Sequence, residues 1–499
     1  MNAKRKSDES VVPAKPANNG AAGAPAESVE GRDSAKRNAE QAALSRTQSR
    51  TQGRSCGLHG VREAARKDRA LKFTALLHHV TTDCLTEAFY HLKKTAAVGV
   101  DGVTWHEYER NLEANIAGLH DRIHRGAYRA KPSRRAWIPK PDGRQRPLGI
   151  AALEDKIVQQ AVLWVVQSIY EQDFLGFSYG FRPGRSQHDA LDALSVAITG
   201  KRVNWILDAD IAGFFDTIDH AWLMRFLEHR IGDRRLLRLI RKWLRAGVSE
   251  DGQWSKTTVG TPQGAVISPL LANVYLHYVL DLWIVWWRRN RCRGEMIVVR
   301  YADDFVMGFE SHSEAKACLE ELRARFAKFG LKLHEGKTRL IEFGRFAAER
   351  RAGRGEGRPE TFDFLGFTHQ CTQTREQGWF ALHRHTIAKR MRATLQAIKA
   401  KLRKRMHRPL GETGRWLRSV VQGWLNYHAV PSNSNRLQRF VDEVTRLWLQ
   451  VLRRRHQRGR ARWTWERMQR LARRHLPRPR ILHPYPNQRF RARLKARAV

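Results

Sequence analysis

"MIVVRYADDFVMGF", Met296 to Phe309, sets two adjacent carboxylates, Asp303 and Asp304, inside an otherwise apolar run. Two β-rich stretches flank Ala302-Asp303-Asp304, a pattern that predicts a hairpin with the acids at its tip. Folding gives no reason for the pair, because neighbouring like charges repel and an apolar strand has no use for them. Adjacent carboxylates on a turn suit a hard divalent cation, which takes oxygen ligands and keeps several waters. A solvated surface turn is the ordinary alternative for an isolated Asp-Asp, so the weight falls on what surrounds it.

Working outward, "VNWILDADI" (203–211) reads as a strand entering a turn, and it ends on Asp210, a third carboxylate. Asp208, two residues earlier, shares that face of the strand and competes for the role. Asp216 and Asp219 in "FFDTIDH" read as turn or helix-start acids. "SHSEAKACLEELRARFAKFG" (311–330) reads as a helix: Ser311 and Glu314 form a capping box, Ala315, Leu319, Leu322, Phe326 and Phe329 make the apolar face, and Gly330 stops it. Strand, helix, hairpin, helix and strand in this order predict an α+β layer. From about 384 the pattern turns helical, with helices expected at 384–405, 412–428 and 435–456.

The charge balance points to a polyanion. The 499 residues carry 91 Lys and Arg against 49 Asp and Glu, a net charge of +42. Residues 381–499 hold 32 Lys and Arg and 4 Asp and Glu, a net of +28. A block that positive repels itself without a partner of opposite charge. Sixteen Trp and ten Tyr add stacking surfaces for bases, so nucleic acid is the expected partner. The five cysteines form no C-x-x-C pair, which argues against a zinc finger and a disulfide framework and fits a reducing, cytoplasmic setting. No apolar run reaches about 18 residues, so no membrane span or membrane partner is expected. Residues 1 to about 70 are poor in large apolar side chains and read as a disordered basic tail.

Taken together, the segments resemble one family. "RYADDF" is similar to the metal-binding box of reverse transcriptases, and "DADIAGFFDTIDH" (208–220) to their preceding carboxylate box. "TPQGAVISPLLANVYL" (261–276), "RRAWIPKPDGRQRPLGI" (134–150), "FSYGFRPGRSQHDAL" (177–191), "GLKLHEGKT" (330–338) and "FDFLGF" (362–367) resemble further boxes of the group II intron-encoded reverse transcriptases and maturases. "AVGVDGVTWHEYERNL" (97–112), "LRSVVQGWLNYHAV" (417–430) and "HLPRPRILHPYPNQRFRAR" (475–493) extend the likeness to both sides.

The resemblance implies a right-hand polymerase: fingers, a palm with an antiparallel sheet, an all-α thumb and a basic C-terminal extension. It divides the chain into a tail (1–70), an N-terminal extension of the fingers (71–135), fingers and palm (136–375), a thumb or maturase domain (376–457) and a nucleic-acid-binding tail (458–499). It implies that Asp210, Asp303 and Asp304 are catalytic and hold two Mg²⁺ ions. By resemblance Lys140 and Arg146, flanking a Pro-Asp-Gly turn, grip a deoxynucleoside triphosphate, and Phe215 lies against its sugar and excludes a 2′-hydroxyl. Gln263 can bond base or sugar edges, and Gly264 permits close backbone approach. Ser268-Pro269 read as N-cap and first-turn proline of the next helix. Arg182 and Arg185, interleaved with Tyr179 and Phe181, suit a single-stranded template, with a buried aromatic pair as the other reading. Lys401 and Arg403 are expected on RNA phosphates, whereas Trp424 and Tyr427 read as core. Lys337 is a possible proton donor to pyrophosphate, Lys332 an equal rival, and a structural charge pair a further reading.

The implied partners are intron RNA, an RNA template with a DNA primer, deoxynucleoside triphosphates and target DNA. The implied function is to assist splicing of a group II intron and copy it into cDNA. Two other readings stand beside it: a domesticated or defence-associated enzyme of the same lineage, and a splicing-only RNA-binding maturase. Many relatives end in a zinc-supported HNH nuclease. Here Cys371 is the last cysteine, and no DNA-cutting activity is expected.

Overall fold

The computed structural model describes residues 57–139, 145–250, 253–255, 259–374, 376–455 and 459–489. They fall into two compact units. The first comprises the residues up to Ala190 with Leu207–Met307 and His312–Arg339; the second comprises Leu191–Ile206, Gly308–Ser311 and the residues from Leu340. The strands are β1 (Ser133–Pro139), β2 (Gln145–Ile150), β3 (Trp205–Ala209), β4 (Val248–Glu250), β5 (Gln253–Ser255), β6 (Met296–Tyr301), β7 (Asp304–Phe309), β8 (Arg339–Glu342), β9 (Phe362–Phe364), β10 (Phe367–Gln373) and β11 (Phe380–Thr386). They form three sheets, of order β2-β1-β4-β5, β6-β7-β3-β8 and β11-β10-β9. The mixed α/β architecture agrees with the expected α+β class.

The expected hairpin forms: β6 and β7 are neighbours, with Ala302 and Asp303 between them. Their apolar run is buried from Met296 to Val299 and from Phe305 to Phe309, so this sheet is covered on both faces rather than alternating.

In the first unit, α1 (His59–Lys67) buries Val61 and Ala65. This corrects the reading of 1–70 as wholly disordered: two small apolar residues four apart seat one helical face against α2 (Leu153–Asp173). Residues 1–56 of that tail lie outside the described residues. In α2, Ile157, Val158, Ala161, Val162, Val165, Val166 and Ile169 are all buried, so the helix is covered on most of its circumference. Asp219 caps α3 (His220–Arg230) by accepting the Trp222 N–H at 2.8 Å, the helix-start role its position suggested.

The helix α4 runs from Ser268 to Asn290, with a π-turn at His277–Asp281. It is long and apolar enough to cross a membrane, contrary to the run-length reading, yet its most apolar 18-residue stretch is 83% buried inside the protein. Asn273, His277 and Asp281 break the apolar run in the sequence, but all three are buried with it. The expected cap is also corrected: Ser268 is the first helical residue, and its hydroxyl donates to the Pro262 carbonyl at 3.0 Å instead of capping. The 311–330 helix is α5 (His312–Lys328), and Glu314 accepts the N–H groups of Arg293 and Gly294 at 2.7 and 3.2 Å.

The second unit contains α6 (Ala388–Lys404), α7 (Leu410–His428) and α8 (Ser434–Arg453), close to the three helices read from the sequence, and α9 (Trp465–His475), which was not read. The expected helical start at 384 and the all-α thumb are corrected, because Phe380–Thr386 pairs with β10 as strand β11. Spacings of three and four put Leu417, Val421 and Leu425 of α7 against Leu437, Phe440, Val444 and Trp448 of α8. Each such buried side chain contributes about 1.5–3 kcal/mol. Trp424 stacks on Phe440 at 3.7 Å, and the Tyr427 hydroxyl donates to the Leu365 carbonyl at 2.7 Å, so both serve the core.

Cys84 is disulfide-bonded, a correction to the reading from cysteine spacing. Pairing follows distance in space, which sequence spacing does not report. Cys292, Cys318 and Cys371 are free.

Candidate active site

Asp210 follows β3 directly. Its carbonyl accepts the His334 N–H at 2.8 Å, Ile211 bridges Leu333, and the Ala212 N–H donates to the Lys332 carbonyl at 2.9 Å. The loop after α5 is thus stitched to the end of β3, which brings Lys337 back: its Nζ lies 2.6 Å from Asp210 Oδ2. The charge-pair reading of Lys337 is therefore the one that this geometry displays. Asp208, the rival to Asp210, lies 3.8 Å from Arg339.

Asp303 sits at the hairpin tip, with Asp304 exposed beside it as the first residue of β7. Burial holds the Asp303 carboxyl above the ordinary range, and the nearby charge of Asp210 pushes the same way; Arg146 and Arg300 oppose them. β7, which starts at Asp304, runs beside β3, which ends just before Asp210, so the hairpin tip and the end of β3 share one end of the sheet, as an Asp210–Asp303 metal pair requires. The donors are all carboxylate oxygens, which fits a hard divalent cation that keeps much of its water. Among the described residues no three His, Cys, Asp or Glu close into a ready cage.

The tip has a built support. Arg300, fully buried, gives all five of its N–H bonds to Asp281, Asn273, Ser178 and the carbonyl of Ala302. The Arg300 N–H donates to Phe177 and its carbonyl accepts from Tyr179. Gly180 then passes so near the tip that a Cβ there would lie 2.2 Å from the Ala302 nitrogen. None of these partners was read from the sequence; the signal that could have found them is an arginine inside the apolar run "VVRY".

The 261–264 loop lies alongside. The Gly149 N–H donates to the Gln263 carbonyl at 2.7 Å, and Gly264, at φ +107°, sits where a Cβ would meet the Gly149 carbonyl at 3.1 Å, the close approach expected of it. The Thr261 N–H donates to the Phe215 carbonyl at 2.8 Å. Backbone bonds thus join Gln263, Phe215 and β2, the strand that carries Arg146. Phe214 is the core residue of its pair, while Phe215 is half-buried and Arg146 exposed. Lys140 lies outside the described residues.

Arg182 does not face a template. It is buried, paired with Glu171 at 3.0 Å, and bonded to the carbonyls of Leu175 and Ser178 at 2.7 Å each. A guanidinium so committed is structural, and the template reading of Arg182 is corrected. Arg185 is half-buried, lies 5.1 Å from the Tyr179 ring centre and donates to the Gly176 carbonyl. Tyr179 is buried and Phe181 is 51% exposed, so the aromatics divide between core and surface. Lys401 and Arg403 are exposed on α6, to either side of its buried Leu402. His483 bonds the Asn426 carbonyl through Nε2 at 2.8 Å, a packing role.

Comparison with known proteins agrees with this reading. Residues 138–369 match the model of the reverse transcriptase (RNA-dependent DNA polymerase) family. The chain is 35% identical over 312 residues to protein YkfC of Escherichia coli K12, covering 55% of this chain and 81% of YkfC. It is 35% identical over 278 residues to the group II intron-encoded protein LtrA of Lactococcus lactis subsp. cremoris, covering 54% of this chain but only 44% of LtrA. A putative COX1/OXI3 intron 1 protein of Saccharomyces cerevisiae is 27% identical over 304 residues, covering 51% of this chain and 36% of the yeast protein. The matched span contains all three aspartates, the 261–264 loop and the Arg300 support, and with that agreement between kinship and geometry the chain belongs to the reverse transcriptases, among the relatives of group II intron-encoded proteins.

Proposed function

We propose that this protein copies RNA into DNA at the Asp210–Asp303–Asp304 site and assists the splicing of a group II intron RNA. The observation that carries the reading is that β3, which leads into Asp210, runs beside β7, which starts at Asp304, with the Asn204 N–H on the Phe309 carbonyl at 2.8 Å at their other ends, so carboxylates more than ninety positions apart in the chain come to one end of the sheet. On this reading β6-β7-β3-β8 is the palm sheet, β2-β1-β4-β5 belongs to the fingers and α6 to α8 form the thumb. Divalent cations bound at the three aspartates, two Mg²⁺ ions as in the family scheme, would activate a primer 3′-hydroxyl and neutralise the charge that develops on pyrophosphate.

The chain's own residues do the rest. Arg146 supplies positive charge for the triphosphate. The 261–264 backbone, held against β2, gives the base and sugar a fixed floor. The half-buried ring of Phe215 would crowd a ribose 2′-hydroxyl. Lys337, 2.6 Å from Asp210 Oδ2, would balance that carboxylate's charge when no cation is bound. The exposed cations of α6, Lys401 and Arg403 among them, would bind intron RNA through its phosphates, with an affinity that falls steeply as salt rises. Target DNA is the further partner proposed for intron mobility.

The intron part of the reading is tested by recovering the RNA that copurifies with the protein from its host. An excised group II intron, with splicing that slows when Lys401 and Arg403 are both changed to Ala, supports the maturase role. A mixture without intron, or splicing indifferent to the protein, overturns it.

A further inference from the structure

We infer that Arg300 is a positioning residue for the metal-binding turn, anchored on Asp281 at the π-turn of α4. The inference rests on the metal reading of Asp303 and Asp304. Ala302, the residue between Arg300's strand and Asp303, has φ +59°, a left-handed conformation that is strained for a residue with a Cβ. Such a turn persists only where its surroundings fix it. Arg300 supplies that constraint: its Nη1 donates to the Ala302 carbonyl at 2.9 Å and to Asn273 Oδ1 at 3.0 Å. Its other N–H groups are spent on the frame: Nε to Asp281 Oδ1 at 2.7 Å, and Nη2 to Asp281 Oδ2 at 2.5 Å and to Ser178 Oγ at 2.7 Å.

The planar fork explains why the residue is arginine. Two edges of one guanidinium reach the helix carboxylate and the turn carbonyl at once, which a lysine ammonium on its flexible stem cannot reproduce. The π-turn at His277–Asp281 falls at the anchor, an irregularity often found in helices near functional sites. Asn273, one helical stretch earlier, donates to the Gly180 carbonyl at 2.7 Å, so the same helix also holds the segment that abuts the tip. Arg300 reaches no substrate; it acts through the position of Asp303.

The test compares Arg300→Lys with the paired replacement Arg300→Met with Asp281→Leu. The pair removes both buried charges together, an exchange that often leaves stability intact or improved. Binding of Mn²⁺ to the protein without nucleic acid is read by paramagnetic resonance, and the Mg²⁺ dependence of primer extension is read separately. Both variants are expected to keep a cooperative thermal transition, to weaken Mn²⁺ binding about 5- to 10-fold, and to raise the Mg²⁺ concentration for half-maximal rate while the nucleotide KM stays within about two-fold. Wild-type Mn²⁺ affinity in a folded paired variant would overturn the inference. Asp303→Ala serves as the reference: if it too leaves Mn²⁺ binding unchanged, the metal reading itself fails, and if it alone abolishes binding, only the role of Arg300 is refuted.

Discussion

Replacing Gly180 by Ala puts one methyl group into the tightest contact behind the metal turn. The added Cβ would lie 2.2 Å from the Ala302 nitrogen and 2.9 Å from both the Ala302 Cα and the Tyr301 carbonyl carbon. Non-bonded carbon contacts settle near 3.5 Å, so the turn must retreat by about 1 Å. All three obstructing atoms are backbone, and the Arg300 fork holds the same turn through the Ala302 carbonyl, so the strain cannot escape into a flexible side chain. Overpacking of this kind costs about 1–3 kcal/mol of stability. A 1 Å displacement of a catalytic group costs on the order of 10²-fold in rate. The assay is single-nucleotide primer extension on an RNA template, with a thermal melt to confirm folding. Gly423→Ala is the control: Gly423 is exposed in α7, nothing lies within 4 Å of its Cβ position, and the change should stabilise by about 1 kcal/mol with unaltered rate. A folded Gly180→Ala protein with wild-type rate and metal dependence would refute the view that this contact sets the carboxylate position.

Lys337→Met removes the ammonium from a pair whose lysine end is 55% exposed, worth about 1 kcal/mol, so the melting temperature should hardly move while Mn²⁺ binding tightens by up to about five-fold; weaker binding contradicts the counter-ion role. Were Lys337 instead the proton donor, the rate would fall with Mn²⁺ affinity unchanged. Phe215→Ala should raise ribonucleotide incorporation relative to deoxynucleotide in competition assays, and an unchanged ratio would return Phe215 to a packing role. His428, held by burial at about 4 against an ordinary value near 6.5, is neutral in the fold. A base depressed in this way gives stability above pH 6.5 that is lost as pH falls toward 4, up to about 3 kcal/mol. Urea titrations at pH 7 and pH 4 should show that loss in wild type and a smaller one in His428→Gln.

What the sequence disclosed follows the range of the interactions. The hairpin at 302–304 and the helices α5 to α8 were legible because their apolar spacing is local. A charge pair was one of three readings for Lys337, but its partner Asp210, 127 positions away, was not named. Arg182 was misread because a cation between aromatics looks alike whether it meets a phosphate or Glu171, and only burial separates the two. Arg300 was passed over because its five bonds go to Asp281, Asn273, Ser178 and Ala302, spread from position 178 to position 302. Ser268-Pro269 has the composition of a cap and first-turn proline, but Ser268 is already helical and its hydroxyl goes to the Pro262 carbonyl, a partner that composition does not report. α1 escaped because two small residues, Val61 and Ala65, are a weak signal within a polar segment.

The claim on which the account stands is that Asp210, Asp303 and Asp304 jointly serve metal-dependent DNA synthesis. Extension of a DNA primer on an RNA template, followed for wild type and Asp303→Ala across a Mg²⁺ titration at equal protein concentration, tests it most directly. Wild type should extend the primer with saturable Mg²⁺ dependence, and Asp303→Ala should remain at background at every concentration. No extension by wild type, or equal extension by the variant, would contradict the account.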